Sequence, residues 1–208
     1  MIKKEKELDL VGKELSSIPP KVWKLTQLTK LSLRNNKLTE IPPEIGNLTN
    51  LTKLYLGVNS LSWLPPQITK LVNLKELWLN SNKFSEFPNI LLEMPLEWLN
   101  LDNNKLKKVP SELGKLTNLK KLYLYNNQLE EIPNQIGNLT NLETLQLYGN
   151  KLTQLPISLG NCPLTTGLYG TDFSNNPLKY PPQSIVDKGN NEIISFLKSE
   201  WKKLSKVI

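Results

Sequence analysis

Apolar and polar residues follow one another along this chain in a figure that keeps returning. Over residues 28–48 it reads LTKLSLRNNKLTEIPPEIGNL, or LxxLxLxxNxLxxIPxxIxxL. The figure restarts at Leu51, Leu74, Leu96, Leu119 and Leu142, at spacings of 23, 23, 22, 23 and 23 residues. A degraded copy precedes these, with Leu8, Leu10, Leu15, Ile18 and Pro19 in register. A last copy follows, with Leu168, Phe173, Asn176 and Leu178 in register, giving about eight turns. The short step after Leu74 falls at Glu93-Met94-Pro95, and Asn161 to Gly170 carries a few extra residues.

The figure predicts its own elements. In LxLxx, alternate Leu point inward from a short strand and the residues between them point outward. One such strand cannot bury its apolar face alone, so turns must stack and share a continuous core. The ladder Asn36, Asn59, Asn82, Asn104, Asn127, Asn150 and Asn176 sits where the chain leaves each strand. A buried amide there can donate to and accept from backbone groups that the turn leaves unpaired, a structural role. The ladder Pro19, Pro42, Pro65, Pro88, Pro110, Pro133, Pro156 and Pro181 fixes φ on the other side and favours extended or 3₁₀ pieces over full helices.

These residues resemble the leucine-rich repeat proteins over nearly the whole chain. The unit with LPxxI and a GNLTNL-like tail is most similar to the Ras-group type. That type includes plant intracellular Ras-group repeat proteins, animal Ras-pathway scaffolds and the repeat arrays of Roco proteins; Leptospira-type bacterial arrays share it. The closing segment from Asn176 to Gly189, followed by Ile193 to Lys198, is similar to the end of Roco and Leptospira arrays. The resemblance implies an α/β solenoid: a leucine-rich repeat horseshoe of about eight repeats, with short parallel concave strands and an irregular or 3₁₀ convex side. Residues 1–182 are assigned to the array, with about 5–27 acting as an N-terminal cap and about 168–182 as the last turn. Residues 183–208 form a C-terminal capping region.

Both ends look finished. Glu5 stands where later turns have Leu, and Lys13 where they have Asn, which keeps the first face polar. At the other end Ile193, Ile194, Leu197, Trp201, Leu204 and Ile208 recur at helical spacing, so a helix from about Asn190 covers the last turn. Its run Lys198, Lys202, Lys203 and Lys206 suits the negative end of the helix dipole. A membrane-surface helix is the competing reading of that segment, with the core of the last turn as the simpler destination for its apolar side.

With strands stacked about 4.8 Å apart, outward positions form columns of spatial neighbours. Six large aromatics fall on this face: Tyr55, Trp78, Trp98, Tyr123, Tyr125 and Tyr148. The inward Leu already fill the core, so a contiguous Tyr/Trp patch has the composition of a protein-binding hot spot. Arg34, Lys53, Glu76, Asp102 and Lys121 are expected around it as a charged rim, with Lys30, Glu97 and Glu143. Cross-strand stacking that merely stabilises the sheet is the competing account. Trp23 and Trp63 fall on the connecting side, where partial core burial is expected.

Composition narrows the chemistry. The chain has 42 Leu, 24 Asn and no Ala, which argues against a helical bundle. It has no His and one Cys, Cys162, which removes His bases, the usual zinc sites and any internal disulfide. Cys162 lacks an acid–base partner and reads as an inert small hydrophobe. No GxxxxGK[ST] motif occurs, so a Roco-type GTPase domain is missing; the chain is a stand-alone array or a fragment of a larger protein. The expectation is no enzyme, no cofactor, no metal and no small-molecule substrate. The net charge of +7 rests on 26 basic residues, of which Arg34 alone is Arg. That argues against nucleic acid, whose recognition leans on Arg forks. No apolar run approaches the ~18 residues of a membrane span, and the start has no signal-peptide core. The NLT sequons at Asn47, Asn50 and Asn138 are then expected to stay unmodified.

The chain therefore reads as a cytoplasmic, monomeric, non-enzymatic module that binds a partner protein on its concave face. The resemblance points to scaffolding or regulation in small-GTPase or kinase signalling. The alternatives are a polyanion or membrane-surface adaptor acting through the Lys-rich ends, and a bacterial effector or surface protein contacting a host protein.

Overall fold

The computed structural model describes residues 6–206, so Glu5 and Ile208 lie outside the described residues. Seven strands follow one another in a single parallel sheet: β1 (Glu7–Asp9), β2 (Lys30–Ser32), β3 (Lys53–Tyr55), β4 (Glu76–Trp78), β5 (Trp98–Asn100), β6 (Lys121–Tyr123) and β7 (Thr144–Gln146). Their order in space is their order in sequence. The register is straight: Leu8, Leu31, Leu54, Leu77, Leu99, Leu122 and Leu145 face one another across successive strands. The eighth turn contributes two isolated bridges, Gln146 to Asp172 and Gln154 to Tyr180, rather than a strand.

Each strand is three residues long, too short to hold a sheet together by its own ladder. The asparagines supply what is missing. Asn104 accepts the Phe84 N–H at 3.0 Å and donates to the carbonyls of Leu79 at 3.1 Å and Leu101 at 3.0 Å. One amide thus joins its own strand end to two points of the preceding turn. Asn36, Asn59, Asn82, Asn127, Asn150 and Asn176 make the same three kinds of bond. The chain can reach these positions only by bending sharply just before each one. Asn35, Val58, Ser81, Asn103, Asn126, Gly149 and Asn175 all have left-handed φ, between 51° and 68°. Asn tolerates that region and Gly prefers it; a β-branched residue such as Val58 is strained there.

On the opposite side seven 3₁₀ helices repeat the proline ladder's geometry. Pro19, Pro42, Pro65, Pro88, Pro110, Pro133 and Pro156 each precede one, and each prolyl carbonyl accepts the N–H of that helix's third residue. The φ that proline imposes lies where the chain must turn back over the core, and its missing N–H costs no ladder bond. Between the two sides the Leu and Ile rows form one unbroken core, most of it with no exposure at all. Trp23 joins that core at 8 % exposure, whereas Trp63, expected to be partly buried, is 48 % exposed. The Leu64 and Ile68 positions already close the core of that turn, which leaves no space for the indole.

The C-terminal end is covered by α1 (Gln183–Val186) and α2 (Asn190–Leu204). Ile193, Ile194 and Leu197 of α2 are buried, Phe196 meets Tyr180 edge-on at 5.8 Å, and the Trp201 indole N–H donates to Asn161 Oδ1. The helix lies so close to the last 3₁₀ helix that a Cβ on Gly160 would stand 2.2 Å from the Leu197 carbonyl oxygen. By Leu204 it has run past the array, and that side chain is 45 % exposed. No helix among the described residues is long and apolar enough to cross a membrane.

The last turn departs from expectation. Leu168, placed by its spacing in the core, is 88 % exposed, and Leu164 is buried instead. The Thr165 N–H bonds to Glu143 O as Glu143 N–H does to Lys120 O, so Leu164 begins the turn. The Thr171 N–H then closes onto Thr165 O, extruding residues 166–170 as a loop. A rigid stack accommodates extra residues only by expelling them.

Two stability outcomes follow. Asn104→Ala leaves the Phe84 N–H unpaired and takes one of two amide donors from the Leu79 and Leu101 carbonyls, which Asn82 and Asn127 still reach. With roughly 1–3 kcal/mol for the orphaned N–H and less for each weakened carbonyl, urea unfolding should show a loss of about 2–4 kcal/mol. Asn36→Ala, at a part-exposed rung, should cost less than half as much. Val58→Asn, placing the residue of four sister turns in the same bend, should raise stability by about 1 kcal/mol, read as a higher urea midpoint at unchanged slope.

Candidate partner-binding face

Straight register turns sequence columns into spatial ones. Ser32, Tyr55, Trp78, Asn100, Tyr123 and Gln146 stand side by side, as do Lys30, Lys53, Glu76, Trp98, Lys121 and Thr144. The six aromatics singled out from the sequence therefore share one surface across consecutive turns. They are not equally free. Tyr148 is 40 % exposed, while Tyr55, Trp78, Trp98, Tyr123 and Tyr125 are half-buried. Tyr55 and Trp78 meet edge to face, with centroids 5.4 Å apart, and the Lys121 ammonium lies 4.2 Å from the centre of the Trp98 ring. Some of the patch does stabilise the sheet, while each ring keeps an outward surface.

The charged groups correct the expected rim. Glu76 and Asp102 belong to the floor of the face: their exposures are 7 % and 1 %. Glu76 pairs with Lys53 at 3.1 Å, and the Lys53 side chain stays half exposed above it. The Tyr55 hydroxyl donates to Glu76, and burial, together with that carboxylate, pushes the phenol up to about 12. Asp102 is too short to reach solvent between its neighbours and turns onto the backbone, where its Oδ1 accepts the Tyr125 N–H at 2.8 Å. Burial pushes its carboxyl up to about 8, against the opposing pull of the Tyr125 N–H and the Asn100 amide. At neutral pH this acid is thus largely uncharged, and no cation pairs with it among the described residues.

Outside the floor, Glu97 is clasped by Lys120 and Lys75, each at 2.8 Å, and those hydrogen bonds hold its carboxyl down at about 2. Lys30 pairs with Glu7 at 3.1 Å. Arg34 is exposed and forms no ion pair with a described residue. Two features were not legible in the sequence. The Asn100–Asp102 pair is linked by an Asp102 N–H bond to Asn100 Oδ1 at 2.9 Å, inside the face. The extruded loop leans on the end of the face, where the Gln146 amide donates to Gly170 O, and it presents Leu168 and Tyr169, 88 % and 80 % exposed. The extra residues signalled an irregularity there, but only the hydrogen-bonding frame says which ones leave the stack.

Cys162 is 1 % exposed and its thiol is pushed up to about 12 by burial, so it is neither nucleophile nor ligand. Among the described residues no cluster of three or more His, Cys, Asp or Glu could hold a metal ion.

Three leucine-rich repeat family models match the chain, over residues 26–66, 73–94 and 94–152. This chain is a leucine-rich repeat protein. Its fold resembles that of a Leptospira interrogans leucine-rich repeat protein, at 30% identity and a TM-score of 0.68, over 90% of this chain and 58% of that one. A plant peptide hormone receptor, RGFR1, solved in complex with RGF2, matches at 30% identity and a TM-score of 0.65, over 77% of this chain and 26% of the receptor. The internalin InlF of Listeria monocytogenes matches at 30% identity and a TM-score of 0.64, over 74% and 44%. The repeat array thus spans little more than half the first of these proteins and less of the others. No curated protein matches it in sequence.

Asp102 gives the face a pH signature. Its folded carboxyl stays protonated to about pH 8 while the unfolded one ionises near pH 4, so its burial destabilises the fold increasingly between those values. Asp102→Asn should therefore stabilise the array at pH 7, on the order of 2–4 kcal/mol. The gain should shrink towards nothing as pH falls to about 4. Urea titrations of both proteins at several pH values check this; a gain independent of pH would contradict it.

Proposed function

We propose that this array is a protein-binding module that grips a partner on its concave face, centred on turns three to seven. The observation that carries the reading is the run of Tyr55, Trp78, Trp98 and Tyr123 on neighbouring strands in one register, with Tyr125 and Tyr148 just beyond the strand ends. Aromatic side chains offer large contact area at little entropic cost, and a contiguous patch on an otherwise polar surface is characteristic of interfaces. The core does not need them, because the inward Leu rows are already fully buried. A receptor of the same fold was solved in complex with RGF2, which is compatible with ligand recognition by such an array.

The finer reading follows the repeat type. A Ras-group-like unit without a nucleotide-binding motif fits a cytoplasmic, monomeric scaffold or regulator in small-GTPase or kinase signalling. The face acts by holding rather than by reacting, so no catalytic step is assigned to it.

A pull-down from lysate at about 0.15 M and about 0.5 M salt, with wild type beside Trp78→Ala/Tyr123→Ala, tests the proposal. The double variant's fold is verified by circular dichroism and its urea midpoint. A discrete partner should survive the higher salt and bind the variant at least tenfold more weakly. Binding that washes off with salt and ignores both aromatics would instead favour a polyanion or membrane surface at the Lys-rich ends.

A further inference from the structure

The charges a partner would meet on this face differ from those counted along the chain. In the middle turns the carboxylates are withdrawn and the cations are not. The Glu76 side chain is 9 % exposed beneath a Lys53 side chain that is 50 % exposed. Asp102 is 1 % exposed, held by the Tyr125 N–H and the Asn100 amide, and its burial keeps it protonated at neutral pH. Arg34 in turn two and Lys121 in turn six have no ion pair with a described residue, and they bracket the Tyr55–Trp78–Trp98–Tyr123 rings. The two ends carry the opposite sign: Asp9 in the first turn is exposed, beside a Glu7 that pairs with Lys30, and Glu143 is exposed before the seventh strand.

Resting on the concave-face reading above, we infer that the partner presents a short, extended acidic segment. It runs across turns two to six with carboxylates at its ends and apolar or aromatic side chains between them. Length follows from geometry. Arg34 and Lys121 are four turns apart, about 19 Å at the spacing of adjacent strands, and four residues apart along the strands, about 13 Å more in that direction; the diagonal of about 23 Å is covered by an extended chain in roughly seven residues. Each end carboxylate meets a cation that no described carboxylate neutralises, and the middle residues lie on the rings. The exposed acids beyond both ends repel any longer anion. That excludes a nucleic acid or polyphosphate lying along the face and sets the size of the acidic segment.

A random dodecapeptide library displayed on phage, panned against the full chain and against its variants, tests this. Enriched sequences should carry Asp or Glu about seven residues apart on either side of an apolar or aromatic centre. Resynthesised peptides should bind Arg34→Glu/Lys121→Glu at least tenfold more weakly, as should versions with the carboxylates changed to amides. Both replaced residues are surface groups, so the variant should keep the wild-type urea midpoint, which is measured alongside. Enrichment of basic or uncharged sequences, of none, or of acidic ones that bind the variant equally well overturns the inference. So does full competition by heparin at equal charge. If the enriched sequences are not acidic but are lost in Trp78→Ala, the charge inference fails while the concave-face reading stands. If they are indifferent to Trp78, Arg34 and Lys121 alike, both fail.

Discussion

Everything in this molecule depends on a buried side-chain amide that does the work of backbone. Strands of three residues offer too few ladder bonds to fix one turn on the next. At the end of every strand after the first, an asparagine accepts one N–H and donates to two carbonyls, spanning consecutive turns with bonds near 3.0 Å. No other small side chain combines an acceptor with two donors in so little volume. Because these bonds are made where water is excluded, leaving one unmade is costly, and the register of the array cannot slip without breaking all of them.

From that constraint the rest follows in order. Fixed register makes each Leu row continuous, so the core is a set of parallel ladders rather than a jigsaw of unrelated contacts. The prolines then return the chain over that core in 3₁₀ turns short enough to keep each repeat near 23 residues. The final turn has no successor, and α2 takes its place, packing so tightly that glycine is required at position 160. Where extra residues enter the last turn, the stack keeps its hydrogen bonds and pushes residues 166–170 out as the loop bearing Leu168 and Tyr169.

The same rigidity shapes the recognition surface. A concave sheet crowds its outward side chains, and reach decides which of them meet solvent. Long ammonium and guanidinium groups climb out, as Lys53 and Arg34 do; short or paired carboxylates stay behind, as Asp102 and Glu76 do. A face with mixed formal charge thus becomes aromatic in the middle, cationic around that middle and acidic at its extremities. Aromatic area supplies the contact and charge supplies the selectivity, a division of labour common to specific interfaces.

Much of this was legible along the chain. The period, the inward Leu, the asparagine rungs, the proline turns and the start of α2 at Asn190 all follow from local pattern, because each repeat solves the same problem with the same residues. The aromatic columns were legible too, since straight register makes sequence offset equal to spatial adjacency. Only the tertiary structure decided the rest. That Asp102 and Glu76 are floor and not rim depends on which neighbours stand beside them and on an N–H offered by the next turn. That Leu164 and not Leu168 enters the core depends on which backbone groups find partners across the stack. That Trp63 stays outside depends on a core already filled by Leu64 and Ile68. A repeating pattern determines where the backbone goes; burial and charge at a given rung are settled by contacts between turns.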